Sequence, residues 1–161
     1  SSDGLVTTSI GGFQDQGNAV AVQPDGKIVQ AGYAYNGSNF DFALIRYHSD
    51  ATLDNSFDVD GVVTADFGGF SNEGRAVAIQ ADGKIIIAGN TFNGFNQDFA
   101  LVRYNSDGSI DNTFGAFGKV KTDVSGSNDF IYSIYHLNFV TNSKIIDKSC
   151  QNQPMTITSS I

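Results

Sequence analysis

Apolar and polar residues alternate in short bursts along most of this chain, and the bursts come in a fixed order. Residues 76–80 (AVAIQ) set valine and isoleucine against alanines, the period-two pattern of a strand with one demanding face. Residues 85–89 (IIIAG) begin with a continuous β-branched run, as in a strand covered on both faces. Between them stands Ala81-Asp82-Gly83-Lys84. Asp-Gly between two such runs predicts a hairpin, because glycine accepts the positive φ that a tight turn requires. The same stretch occurs earlier as AVAVQPDGKIVQAG (19–32), where Pro24 presets φ for the turn.

The repetition extends well beyond the hairpin. Gly26 pairs with Gly83, Phe42 with Phe99, Arg46 with Arg103 and Phe57 with Phe114, each pair 57 apart and without a gap from Asp3 to Phe114. A third copy opens at Gly118 (GKVKTDVSG against GVVTADFGG from Gly61) and then decays. Each unit holds four strand-like runs; in the second copy these are 62–67, 76–80, 85–89 and 99–104, separated by turn-rich stretches. Four antiparallel strands at a fixed period predict a β-propeller blade, which buries its faces against its neighbours. The fold class is therefore all-β, a propeller of 57-residue four-stranded repeats with two clear blades and a divergent third per chain. The chain reads as a single domain, 1–161, with repeat 1 at about 3–59, repeat 2 at about 60–116 and a divergent partial repeat at 117–161.

The stretches NAVAVQPDGKIVQAGYAYNG, DFALIRYHSDATLDNSF and DFALVRYNSDGSIDNTFG resemble the delta-60 repeat of bacterial proteins. The resemblance covers Asp3 to about Asp129 and implies a β-propeller, but it implies no defined activity. Gln30, His48, Ala51 and everything after about Phe130 depart from the pattern. Residues 131–134 and 144–146 echo the hairpin, and 155–161 (MTITSSI) offer a replacement third strand. The tail then supplies three strands of a third blade, with 5–10 (LVTTSI) as its fourth, or else packs irregularly.

Propellers close with about 4–8 blades, and an open fan exposes apolar faces and strand edges. The ring is therefore expected to close by self-association, as a homodimer of three-bladed chains or a homotrimer of two-bladed ones, with the dimer favoured.

A net charge of −8 disfavours nucleic acid and anionic membranes as partners, and no apolar run is long enough for a membrane-spanning helix. A small polar ligand, a glycan or a protein partner fits better, in a secreted or cell-surface setting. The lone Cys150 cannot form an internal disulfide.

Strand alternation places the loops before the first strand and between the second and third strands on one face. Phenylalanines there interleave with amides and carboxylates, a combination suited to a neutral polar ligand. The candidate ligand residues are Phe13, Gln14, Asp15, Asn36, Asn39, Asp41, Phe70, Asn72, Glu73, Asn93, Asn96 and Asp98. Asn, Asp and Gly also dominate turns for backbone reasons alone. The opposite face carries Asp54, Asp58 and Asp60, carboxylates at a spacing Ca²⁺ favours. They lack the EF-hand pattern, and the second copy replaces Asp58 by Gly115 and Asp60 by Phe117. No cofactor is expected, and chelation is expected to leave the melting temperature unchanged. The rival reading is an esterase-like hydrolase assembled across blades or subunits from Ser71, His48 and His136, although no G-x-S-x-G occurs. A further alternative is a purely structural repeat of a larger surface protein.

Overall fold

The computed structural model describes residues 4–11 and 14–131. Within them the chain forms eight strands: β1 (Asp15–Val22), β2 (Ile28–Tyr35), β3 (Phe40–Tyr47), β4 (Val62–Ala65), β5 (Asn72–Ile79), β6 (Ile85–Phe92), β7 (Gln97–Tyr104) and β8 (Lys119–Thr122). They make two antiparallel four-stranded sheets, ordered β1-β2-β3-β4 and β5-β6-β7-β8, and the described residues contain no helix. These are the two blades that the repeat predicts.

The hairpins follow their turn chemistry. Gly26 and Gly83 adopt φ of 83° and 82°. In the first copy the Gly26 N–H donates to the Gln23 carbonyl at 2.9 Å, and the Gln23 N–H donates to Lys27 at 2.8 Å. This is a tight turn followed by a left-handed glycine.

Several boundaries move from the sequence reading, with β4 ending at Ala65, β6 running on to Phe92 and β7 starting at Gln97, and two differences matter most. The first strand of each blade starts four residues early, at Asp15 and Asn72, rather than at the alanines 19 and 76. A β-bulge between Gly17 and Ala19, repeated between Gly74 and Ala76, absorbs one extra residue and carries the ladder on through polar sequence. The second difference is at 5–10, which is not a strand. An outer strand needs the third strand of its own blade to pair with. The edge of β3 is already taken by β4, from Phe42↔Ala65 to Ile45↔Val62. The segment instead lies against the outer side of the first sheet, where Tyr47 Oη donates to Thr8 Oγ1 at 2.7 Å and the Ile10 N–H donates to Asp15 Oδ2 at 2.7 Å.

The core lies between the two sheets. Val29, Ala31, Phe42, Leu44, Val63 and Ala65 of the first blade form one cluster with Ile85, Ile87, Ala100, Val102 and Tyr104 of the second. Full burial of each large side chain contributes about 1.5–3 kcal/mol. The sheets approach so closely that a Cβ on Gly74 would lie 2.3 Å from the Gly32 carbonyl oxygen. Glycine is required there by space. Nearby, Asn18 Nδ2 donates to the Gly74 carbonyl at 2.6 Å, so the bulged residue of one blade stitches it to the next.

The outer side of the first blade lacks such cover. Val20 and Val22 are each 66 % exposed. The expected third-blade strands at 131–134, 144–146 and 155–161, with Cys150, lie outside the described residues apart from Ile131.

Candidate functional site

The loops at one end of the blades are tied by a repeated asparagine motif. Asn36 Oδ1 accepts the backbone N–H groups of Ser38 at 2.9 Å and Asn39 at 3.1 Å. Its Nδ2 donates to Asn39 Oδ1 at 2.8 Å and to Asp41 Oδ2 at 2.7 Å. Asn93 does the same in the second copy, accepting from Phe95 and Asn96 and donating to Asn96 and to both Asp98 oxygens, at 2.9 and 3.1 Å. An amide followed by a positive-φ glycine (Gly37, Gly94) closes a tight hairpin and aims the next carboxylate inward. Asp41 and Asp98 are both buried.

These carboxylates meet two further residues at the junction to the following strand. In the first copy Asn72, fully buried, directs Nδ2 at the Phe70 carbonyl (2.8 Å), Asp66 Oδ1 (3.2 Å), the Phe40 carbonyl (3.3 Å) and Asp41 Oδ1 (3.4 Å). Its Oδ1 accepts from Thr91 Oγ1 at 2.6 Å, which fixes which way the amide points. Backbone N–H donors of Gly69 and Gly68, the Asn72 amide and the Lys119 charge hold the Asp66 carboxyl below its ordinary value against a counteracting desolvation. The second copy repeats the arrangement at Asp98, Asp123 and Asp129, 57 residues on, but the amide has become a carboxylate. One oxygen from each of the three lies within 4.8 Å of the others. Sequence reading missed Asp66, Asp123 and Asp129. Aligning the copies at a shift of 57 shows both the paired aspartates and the Asn-to-Asp change.

The other candidates of this face are more dispersed. The Gln14 carbonyl accepts from the Tyr35 N–H at 3.0 Å, and Glu73 pairs with Arg75. Asp15 Oδ2 accepts from Ile10, while its buried Oδ1 has no hydrogen-bond partner among the described residues. Phe70 stands edge-on to Phe92, with ring centroids 5.7 Å apart, and lies against Gly94. Phe95, at the tip of that hairpin, is 96 % exposed. Phe13 and His136 lie outside the described residues.

The opposite end is organised by ion pairs. Asp54, fully buried, accepts from Arg46 Nε at 2.7 Å and Lys27 Nζ at 3.0 Å, with His48 Nε2 at 3.4 Å. Burial alone would raise this carboxyl, but hydrogen bonds from Ser56 and Lys27 and the Arg46 charge hold it far below the ordinary range. Asp111 is held down likewise, by Thr113 first and then Lys84, with Arg103 Nε at 2.8 Å. Each arginine also lies over a ring, Arg46 over Phe57 at 4.3 Å and Arg103 over Phe114 at 4.5 Å.

Asp58 and Asp60 do not join Asp54. Asp58 sits at φ 55° with its N–H on the Asp107 carbonyl, and Asp60 Oδ1 accepts from the Val62 N–H. The Asp98–Asp123–Asp129 group is the one cluster of metal-ligating geometry among the described residues. Ser71 precedes β5 at the loop end, whereas His48 follows β3 at the other. An eight-residue strand spans about 25 Å, so one chain does not bring the two side chains together.

Residues 23–57 and 80–114 match the family model described as a domain of unknown function (DUF5122) beta-propeller, one match in each repeat. No curated protein matches the chain.

Proposed function

We propose that this chain is a non-catalytic propeller module that holds a neutral polar ligand, such as a glycan, or a protein partner on its loop face. Phe95 carries the reading. An almost fully exposed phenyl ring at a hairpin tip has no role in the core. Phe70 packs against Gly94 of the same hairpin, so a second ring stands at its base, and the Asn93 and Asn96 amides hold the turn rigid. A fixed, exposed apolar platform suits the face of a sugar. On a glycan array the wild-type chain is expected to bind a defined subset of neutral glycans. Phe95→Ala should lose that binding while keeping the wild-type melting temperature. Binding unchanged in both Phe95→Ala and Phe70→Ala would refute the reading.

We propose further that chains associate to complete a six-bladed ring. The support is the outer side of the first blade, where Val20 and Val22 stand open. Beside them a cleft of about 230 Å³ runs between residues 6–10 and the sheet, lined by Val6, Ile10, Ile45 and Tyr47 among others. Another blade would cover this surface, at about 25 cal/mol per Å² of apolar area buried. Sedimentation at micromolar concentration should show a dimer or trimer, and deleting residues 1–11 should weaken assembly and stability together. A compact, stable monomer of 17.1 kDa would contradict ring closure.

A further inference from the structure

We propose that Asp98, Asp123 and Asp129 bind one hard divalent cation of the Ca²⁺ class where the second blade hands the chain on. Each carboxylate arrives from a different place. Asp98 comes from β7 and is held through both oxygens by Asn93 Nδ2. Asp123 follows β8, its Oδ1 accepting from the Gly126 N–H at 2.9 Å. Asp129 comes from the segment after that turn, its Oδ2 accepting from the Val124 N–H at 2.7 Å. One oxygen from each falls within 4.8 Å of the others.

Two observations separate this from an ordinary acidic surface. Asp129 is fully buried, and its Oδ1 has no hydrogen-bond partner among the described residues. A buried carboxylate oxygen left without a donor is costly, and none of the three aspartates forms an ion pair among the described residues. The second observation is internal to the fold. At the equivalent junction Asn72 points N–H groups at Asp41 and Asp66, so positive hydrogens lie between the two carboxylates. At Asp129 the donor is gone and a third negative charge takes its place. The junction keeps its two acidic walls and lacks the group that bridges them. An ion supplies the missing positive charge.

The donor set is all oxygen, which selects a hard cation. Two of its three members flank a turn rather than belong to a rigid cage, which favours the adaptable coordination of Ca²⁺ over the strict octahedron of Mg²⁺. Bound there, the ion would fasten β7, the exit of β8 and residues 129–131. Asn90 already ties that stretch to β6, donating to the Asp129 carbonyl and accepting from the Ile131 N–H at 3.2 Å.

The test is calorimetric titration of the chelator-stripped chain with CaCl₂, paired with melting curves in calcium and in chelator. The wild type is expected to bind one Ca²⁺ per chain and to melt higher in calcium than in chelator. Asp129→Asn restores the amide found at Asn72, so it should melt at the same temperature in both media and show no binding heat. Asp123→Asn, at the exposed corner, should weaken affinity at least tenfold without disturbing the fold, and it decides the matter alone if Asp129→Asn does not fold. A wild type with neither binding heat nor a melting shift at millimolar calcium would overturn the proposal. So would a wild-type response retained in Asp123→Asn.

Discussion

Phe42→Ala is expected to lower the unfolding free energy by about 3–5 kcal/mol, a large share of what a domain of this size possesses. The ring is completely buried at the centre of the contact between blades. It lies tilted on Phe67 with centroids 5.0 Å apart, and its tip meets the backbone of β6 where a Cβ on Gly89 would come within 2.7 Å. The surrounding strands are pinned by their ladders and collapse little into the space left behind, so the cavity cost adds to the lost transfer energy. Urea denaturation measures it: the midpoint should fall steeply, whereas Phe95→Ala, at the open hairpin tip, should move it by less than about 0.5 kcal/mol equivalent. Equal midpoints for Phe42→Ala and wild type would mean that the two sheets do not pack as described.

Arg46→Met is expected to cost about 3 kcal/mol, near the lower end for breaking a buried ion pair, because Lys27 remains at 3.0 Å from Asp54. Arg46 does more than neutralise Asp54. Its Nη1 donates to the Ser106 carbonyl at 2.5 Å, so the side chain also staples the first blade to the second. Arg103→Met should cost less, since that side chain is more exposed and its Nη1 reaches only Gln80 Oε1, at 3.5 Å, where Arg46 has the Ser106 carbonyl. The effect carries a pH signature. The folded carboxyl of Asp54 titrates below its unfolded value, so its stabilisation is complete above about pH 4 and is lost as pH falls below that. The gap between wild type and Arg46→Met should therefore narrow on acidification. A gap that widened toward pH 3 would exclude Asp54 as the partner that matters.

The candidate site was legible in part. The Asn-Gly hairpins at 36 and 93 stand out because glycine and asparagine have few other reasons to recur together, and the loop end they mark is where the structure gathers its polar side chains. Sequence reading treated the carboxylates at 54, 58 and 60 as neighbours because they are close along the chain. Folding parts them: Asp54 turns inward to Arg46, while Asp58 and Asp60 serve backbone turns. It also grouped Ser71 with His48, which strand length puts at opposite ends. The residues that do converge, Asp98, Asp123 and Asp129, are 25 and 6 positions apart and come from three elements.

By itself the sequence determined the two blades, since period-two patterning, Asp-Gly turns and the shift of 57 are local properties that a reader can count. It also determined where the tight turns fall, because only glycine takes the φ of 83° and 82° found at positions 26 and 83 without strain. Tertiary structure decided the rest. Residues 5–10 have the composition of an outer strand, yet a strand exists only where a partner offers its edge, and the one at hand is occupied by β4. The first strand of each blade gained four residues, three of them polar, because a bulge, which no propensity marks, kept them in register. Whether an aspartate becomes a buried counter-ion or a member of a carboxylate cluster depends on which donors face it across the blade junction. That is set by packing and not by the residues beside it in the chain.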